Sequence, residues 1–423
     1  MALLAYQLFL LLYKLGARFL SPWNPKAALW LRGRKGLLPN IATAMANRGK
    51  QKLVWVHCAS LGEFEQGRPV IEEIRARYPM VRILVTFYSP SGYEIRKNYK
   101  EADWVFYLPM DAAANARKFI ELVKPDLVIW VKYEYWYYYL KTLNDHRIPV
   151  LLISGIFRKN QVFFKWYGSL HRKMLGYFRH LFVQDASSAE LLRGLAATPP
   201  VTISGDTRFD RVAAIAAGFA AIEPVAAFCG DRKVVVAGST WQEDEEELDH
   251  FANTYPEIVF IIAPHEIDEP HLKTTEQLFK HTIRYSAWQK QYSANNTRHN
   301  ANVLIIDNIG MLSKLYHYAT IAYVGGGFGD DGIHNTLEAA VYGKPVVFGP
   351  AFEKFREAIG LLEAGGAFTV SNALQLEEIF HTLLNDPVAY KEACRAAYDY
   401  TRDNRGATEA ILSYIGKQQH LGN

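Results

Sequence analysis

The first 52 residues of this 423-residue chain contain no acidic side chain; the first carboxylate is Glu63. They hold nine basic residues, so the net charge of +4 hides an acidic body: beyond Lys52 there are 38 basic and 43 acidic side chains. A net-negative body excludes a globally basic nucleic-acid binder. Cysteine is scarce too. Cys58, Cys229 and Cys394 are far apart, which excludes a disulfide framework and a Cys-based zinc site. There is no Asp-x-Asp pair and no His-rich cluster, so neither a metal site nor a cofactor is expected. No apolar run reaches the ~20 residues of a full membrane span. No 20–50-residue repeat or low-complexity tract is present, which argues against solenoids and disorder.

What is present begins at the amino terminus. Residues Ala2 to Tyr13 are apolar except for Gln7, and Lys14 and Arg18 follow. A cleaved signal peptide carries its charges before the apolar run, so export is disfavoured. At 100° per residue, Gln7, Lys14 and Arg18 fall within about 40° of one another, with Phe9, Tyr13 and Leu20 facing the other way. This pattern predicts an amphipathic helix lying in an anionic membrane surface, with Trp23 and Trp30 at headgroup depth; a short uncleaved span with its basic flank inside is the alternative. Residues 1–52 are therefore expected to form a membrane-associated segment.

From Leu53 onward, short apolar runs alternate with helical patterns. Leu53–Cys58, Val81–Phe87, Trp104–Leu108, Leu127–Val131, Val150–Ser154, Leu181–Gln184 and Val201–Ser204 are apolar on both faces, as buried parallel strands are. An Ala-rich stretch, Ala213–Gly230, interrupts the series. A second series follows with Val234–Ala237, Val259–Ala263, Val303–Ile306, Ile321–Val324 and Val346–Phe348. At 423 residues, two domains are expected. The economical α/β architecture is two Rossmann-like domains, residues 53–212 and 213–423, facing a central cleft. In such sheets, ligands bind beyond the carboxyl ends of the strands.

Three segments fall at such ends. His57-Cys58-Ala59-Ser60-Leu61-Gly62-Glu63-Phe64 closes the first strand. Ser60 and Glu63 have the spacing of a capping box, and a carboxylate at a helix start is expected to be a weakened base. Even so, Glu63 is the carboxylate best placed to take a proton from an acceptor hydroxyl. Gly238-Ser239-Thr240 ends the first strand of the second series, where free N–H groups can meet an anion. The third segment runs from Val324-Gly325-Gly326-Gly327 through His334-Asn335-Thr336-Leu337-Glu338 to Gly349-Pro350. Its glycines permit close approach of backbone and ligand. His334-Asn335 would open a helix, with Glu338 one turn in, facing ribose hydroxyls. The acidic run Glu243–Asp249 reads as a helix start.

The third segment resembles the nucleotide-sugar site of GT-B glycosyltransferases. Together with HCASLGEF, Tyr133-Glu134-Tyr135-Trp136 and Ser204-Gly205-Asp206-Thr207-Arg208-Phe209-Asp210, it resembles the bacterial Kdo transferases. These move 3-deoxy-D-manno-oct-2-ulosonic acid (Kdo) from CMP-Kdo to a lipid A precursor, lipid IVA. The resemblance implies a GT-B fold, an inverting and metal-independent transfer, and a place on the cytoplasmic face of the bacterial inner membrane. It makes Glu63 the base. It assigns CMP contacts to Gly238, Ser239, Thr240, Pro264, His265, Ile309, Gly310, Met311, Asn335, Thr336, Leu337 and Glu338. Ser60, Glu134 and Arg208 become candidate acceptor or transition-state contacts. The family usually has Pro-Arg-His where this chain has Pro264-His265-Glu266, and a lysine where Arg208 stands. Lys132 and Tyr133 precede a lone Glu134 where Glu-Thr-Glu is common. The Gly-rich run alone would also permit a transferase or epimerase acting on a UDP-sugar. The terminus and fold alone would permit a non-catalytic, membrane-docked nucleotide-sugar binder.

Overall fold

The computed structural model describes residues 2–46, 48–132, 134–196, 198–294, 299–330 and 332–422. Tyr133 and Asp331, which belong to two of the motifs above, lie outside the described residues. The chain divides into two compact units, residues 1–210 with 406–423, and residues 211–405.

The first unit is built on seven parallel strands: β1 (Leu53–Cys58), β2 (Arg82–Phe87), β3 (Trp104–Tyr107), β4 (Leu127–Val131), β5 (Val150–Gly155), β6 (His180–Val183) and β7 (Val201–Ile203). Their order is β3-β2-β1-β4-β5-β6-β7. Period-two alternation sends successive side chains to opposite faces. Leu53 and Trp55 of β1 join a core with Val128 and Trp130 of β4. Val54, Val56 and Cys58 join the opposite core, under the helix 61–77. The strand order reverses direction between β1 and β4, and ligands of doubly wound sheets bind at that point.

The second unit repeats the plan with β8 (Val234–Thr240), β9 (Val259–Pro264), β10 (Thr282–Arg284), β11 (Val303–Ile305), β12 (Ile321–Val324), β13 (Val346–Phe348) and β14 (Ala367–Thr369). The order is β10-β11-β9-β8-β12-β13-β14, all parallel, with the reversal between β8 and β12. Strands β10 and β14 are three-residue edge strands, too short to stand out from their surroundings in the sequence.

Two expectations need correction. Residues 406–423 belong to the first unit, not the second. The cause is the apolar face of the helix Ala407–Lys417: Ile411, Leu412 and Ile415 are buried in one core with Val70 and Ile74. Asp210 clamps its start by accepting from the amides of Gly406 (2.6 Å) and Thr408 (2.7 Å). At the other end, the segment expected to be wholly membrane-associated is split. The helices Pro25–Arg32 and Leu37–Met45 pack onto the first unit, with Trp30, Leu37, Ile41 and Met45 buried.

The helix Ala2–Leu20 differs: Leu10 is its one buried residue among those described, while Leu4, Leu8, Leu12 and Phe19 are exposed. By length and composition this 19-residue helix can cross a membrane. Its polar line is not wholly turned away from the protein, because the Gln7 amide donates to the Tyr138 hydroxyl. Tyr13, expected on the opposite side, meets Trp30 edge-on at 5.4 Å. Trp30 is thus part of the protein interior, and headgroup depth is left to Trp23, which is 74% exposed.

Candidate active site

In the first unit, β1 delivers His57, Ser60 and Glu63 to the reversal point, and β4 delivers Glu134. Glu63 sits in the first turn of the helix 61–77 and is only 8% exposed. Its Oε2 accepts from the amide of Ser60 at 3.2 Å and from that of Ala59. The capping half of the expectation therefore stands in the geometry. The weakened base does not. Burial and the nearby Glu134 charge push the Glu63 carboxyl up to about 7, against the opposing pull of the two amides and Lys132. Desolvation outweighs the helix terminus because the group is nearly sealed from water.

Glu134 is held by neighbours that the sequence did not reveal. His57 is fully buried and lies between its register partners Thr86 on β2 and Trp130 on β4. Its Nδ1 is 2.9 Å from Thr86 Oγ1, and its Nε2 is 3.2 Å from Glu134 Oε2. Trp55 Nε1–H donates to the same Thr86 oxygen at 2.8 Å. A carboxylate can only accept, so the Nε2–H donates to Glu134, and the Thr86 hydroxyl, while accepting from the indole, is free to donate to Nδ1. The Trp136 indole donates to the same Oε2 at 2.9 Å. Alternation along β1 puts His57 on the face of Trp55, but which residues meet it is a matter of strand order. Glu134 also stands in the wall of a cavity of about 1270 Å³, which Tyr6 and Phe9 of the first helix line as well.

Ser60 and Glu134 are thus brought to Glu63, while Arg208 has its own arrangement. It follows β7, and its guanidinium grips Asp206 Oδ2 through Nε (2.9 Å) and Nη2 (2.7 Å). The adjacent Thr207 hydroxyl donates to the carbonyl of Gln66, on the helix that carries Glu63.

In the second unit, the ends of β8 and β12 meet. A Cβ on Gly325 would lie 2.4 Å from the Ser239 carbonyl oxygen, and one on Gly327 would lie 2.6 Å from Gly349. These glycines therefore serve backbone against backbone, where close approach to a ligand was expected. Ser239 has φ +55°, a left-handed conformation that non-glycine residues seldom adopt and that clusters at functional sites. Asp244 fastens the two loops together. It is buried and accepts from the Gly326 amide (2.8 Å), the Trp241 amide (2.9 Å) and the Tyr323 hydroxyl (2.8 Å). Glu245 is buried as well, between the hydroxyls of Thr240 and Thr275. Two members of the acidic run are therefore interior ties, although the run does start the helix Gln242–Thr254.

Three rings stack at the same rim. Trp241 lies on His265 at 4.5 Å, and His265 lies on His334 at 4.6 Å. Pro264 is buried at the end of β9, while His265 beyond it is exposed. Asn335 does not open a helix. Its Oδ1 accepts from the Leu337 amide (3.2 Å), its Nδ2 donates to Glu338 (3.1 Å), and the helix starts at Leu337 after a Thr336 cap. Ile309 (87% exposed), Gly310 (φ +96°) and Met311 form the turn after β11.

Comparison with known proteins shows what this chain is similar to. Residues 30–211 match the family described as 3-deoxy-D-manno-octulosonic-acid transferase (kdotransferase). A 3-deoxy-D-manno-octulosonic acid transferase of Haemophilus influenzae is 25% identical over 86% of this chain and 86% of its own length. A bifunctional glycosyltransferase/methyltransferase of Fusobacterium nucleatum is 28% identical over 79% of this chain, which spans 53% of that longer protein. Among solved structures, UDP-GlcNAc 2-epimerase from Neisseria meningitidis superimposes with a TM-score of 0.61 at 19% identity, over 87% of this chain and all of that one. That likeness concerns the fold, which is GT-B. The chain is thus similar to the Kdo transferases over most of its length, and that similarity marks it as a glycosyltransferase.

Proposed function

We propose that this protein transfers Kdo from CMP-Kdo to a lipid A precursor such as lipid IVA, in lipopolysaccharide assembly, with Glu63 as general base. The observation that carries the reading is Glu63 itself. A base works best with a pKa near the operating pH, and this carboxyl is raised to about 7. At that value it is ionised often enough to act and basic enough to draw the proton from a sugar hydroxyl.

The reaction is an inverting displacement. The acceptor oxygen attacks C2 of Kdo, its proton goes to Glu63, and the bond to the CMP phosphate breaks with its electrons. Glu134, fixed by His57 and Trp136, keeps the neighbouring carboxyl basic. The leaving group carries one phosphate, so amides at loop and helix starts and basic side chains suffice to hold its charge, without a metal. The donor is assigned to the second unit, with phosphate at Gly238, Ser239 and Thr240. The nucleoside lies along Pro264, His265, Ile309–Met311 and Asn335–Glu338. Ser60 and Arg208 contact the acceptor or the transition state. The helix Ala2–Leu20 holds the enzyme at the cytoplasmic face of the inner membrane, where the acyl chains of the acceptor reside.

The test is incubation with CMP-Kdo and lipid IVA, followed by mass spectrometry for added Kdo. Absence of any product, or tighter binding of a UDP-sugar than of CMP in calorimetry, would overturn the reading.

A further inference from the structure

A second part of the first unit lacks acidic side chains as the amino terminus does. Between Asp145 and Asp185 there is no carboxylate side chain, but there are seven basic ones: Arg147, Arg158, Lys159, Lys165, Arg172, Lys173 and Arg179. In the middle of this stretch stand the most exposed large aromatics of the region, Trp166 at 91% and Tyr167 at 54%. Burying neither ring in a protein core is unusual for a pair this large, and contiguous exposed apolar surface marks a contact site. The two rings pack edge to face at 5.5 Å, so they form one protrusion.

The protrusion is built to be firm. Phe163 on its amino-terminal side and Leu170 on its carboxyl-terminal side are buried in the core of the unit. Arg172, in the helix Ser169–Leu175 that follows, donates back to the carbonyls of Phe163 (2.9 Å) and Lys165 (2.8 Å), which braces the turn. Arg158, Lys159 and Lys173 are exposed around it. The segment also stands beside the first helix. Ala2, Ala5 and Phe9 of that helix form one side of the 1270 Å³ cavity, and Val162, Trp166 and Tyr167 form part of the other.

We infer that the aromatic protrusion Trp166–Tyr167, with its surrounding Arg158, Lys159, Lys165 and Lys173, is a second membrane-docking surface that enters an anionic bilayer alongside the first helix. Charge complementarity selects the occupant. Tryptophan and tyrosine favour the headgroup layer, and the lysines and arginines face lipid phosphates with no carboxylate nearby in sequence to repel them. One helix fixes depth but permits rotation about its own axis. A second contact removes that freedom and sets which face of the unit looks at the lipid. The inference rests on the membrane attachment proposed above.

The experiment uses the full chain and two kinds of vesicle, phosphatidylcholine alone and equal parts of phosphatidylcholine and phosphatidylglycerol. Trp166→Ser with Tyr167→Ser should lower partition into the anionic vesicles by roughly tenfold. Lys159→Gln and Lys165→Gln should each lower it by about fivefold, with the effect lost on neutral vesicles. Both aromatics are exposed, so melting temperature and CMP affinity should stay as in the parent, which checks folding. As an independent measurement, brominated lipids should quench less of the total fluorescence in Trp166→Phe than in the parent. Unchanged partition and unchanged quenching would overturn the inference. So would a dimer, seen by sedimentation without lipid, that dissociates in the Trp166→Ser, Tyr167→Ser variant, because a second copy would then be the occupant. Leu8→Ser with Phe19→Ser in the first helix separates the two levels. If only that variant loses binding, the second surface fails and the membrane reading stands. If neither variant loses binding, the membrane reading fails with it.

Discussion

Glu63 caps its helix in the structure and is the base in the function proposed above, two roles that the sequence set against each other and that pH separates. Its carboxyl is raised from 4.5 to about 7, chiefly by burial. Turnover should therefore rise through about pH 7 and level off above it, as the base loses its proton. Glu63→Gln keeps an oxygen for the Ser60 and Ala59 amides but cannot accept a proton. Turnover should fall roughly 10²–10⁴-fold in a single-turnover assay, with CMP affinity unchanged. Stability follows the linkage rule for a raised folded-state pKa. The contribution of Glu63 is full below 4.5 and is lost as pH rises through about 7. Melting curves should accordingly show Glu63→Gln gaining on the parent between about pH 5 and pH 8, by at most a few kcal/mol. Glu134 is the second cause of the shift, so Glu134→Gln should move the acid limb of the turnover profile to lower pH. It should not return the limb to 4.5, because burial remains. An unmoved limb would separate the two carboxylates. Glu63 and its capping spacing were legible in the sequence, but its burial was not, since solvent exclusion depends on what packs above a helix end.

Elements explain why the motifs have the composition they have. The Gly325-Gly326-Gly327 run lets the loop after β12 lie against the loop after β8. Gly325→Ala would put a methyl 2.4 Å from the Ser239 carbonyl oxygen, against backbone that cannot rotate away. The variant should melt lower and bind CMP at least about tenfold more weakly, by calorimetry, if those loops hold the phosphate. Asp244→Asn offers one carbonyl oxygen and an amide donor to a pocket of three donors. It should cost about 1–3 kcal/mol in a denaturant titration. The strand cores were readable from the run Leu53–Cys58 because both faces of a central parallel strand are apolar. The tie through Asp244 was not, because an acidic residue in a first helical turn looks the same whether it meets water or the Gly326 amide. The amino-terminal helices show the same limit. The absence of acids up to Lys52 hid the difference between the exposed helix Ala2–Leu20 and the helices carrying buried Trp30 and Ile41. Deleting residues 2–20 should release much of the protein from anionic vesicles with CMP binding retained. Ile41→Ala should destabilise the first unit by about 2–5 kcal/mol.

At the scale of the molecule, two units repeat one topology, each with candidate site residues at the point where strand order reverses. The transfer proposed above uses no metal, so activity should survive EDTA. Complete loss with EDTA and recovery with Mg²⁺ or Mn²⁺ would overturn it. The alternation of apolar runs and helical periods determined by itself that this chain folds as parallel α/β, because buried strands and amphipathic helices carry their periodicity locally. Motif order along the chain determined the family resemblance in the same way. The tertiary structure alone decided three things. It returned the helix Ala407–Lys417 to the first unit, because Ile411 and Ile415 find their partners, Val70 and Ile74, near the opposite end of the sequence. It placed His57 between Thr86 and Glu134, because strand order is not written in any one strand. And it raised Glu63, because the desolvation of a carboxyl is a sum over everything packed around it.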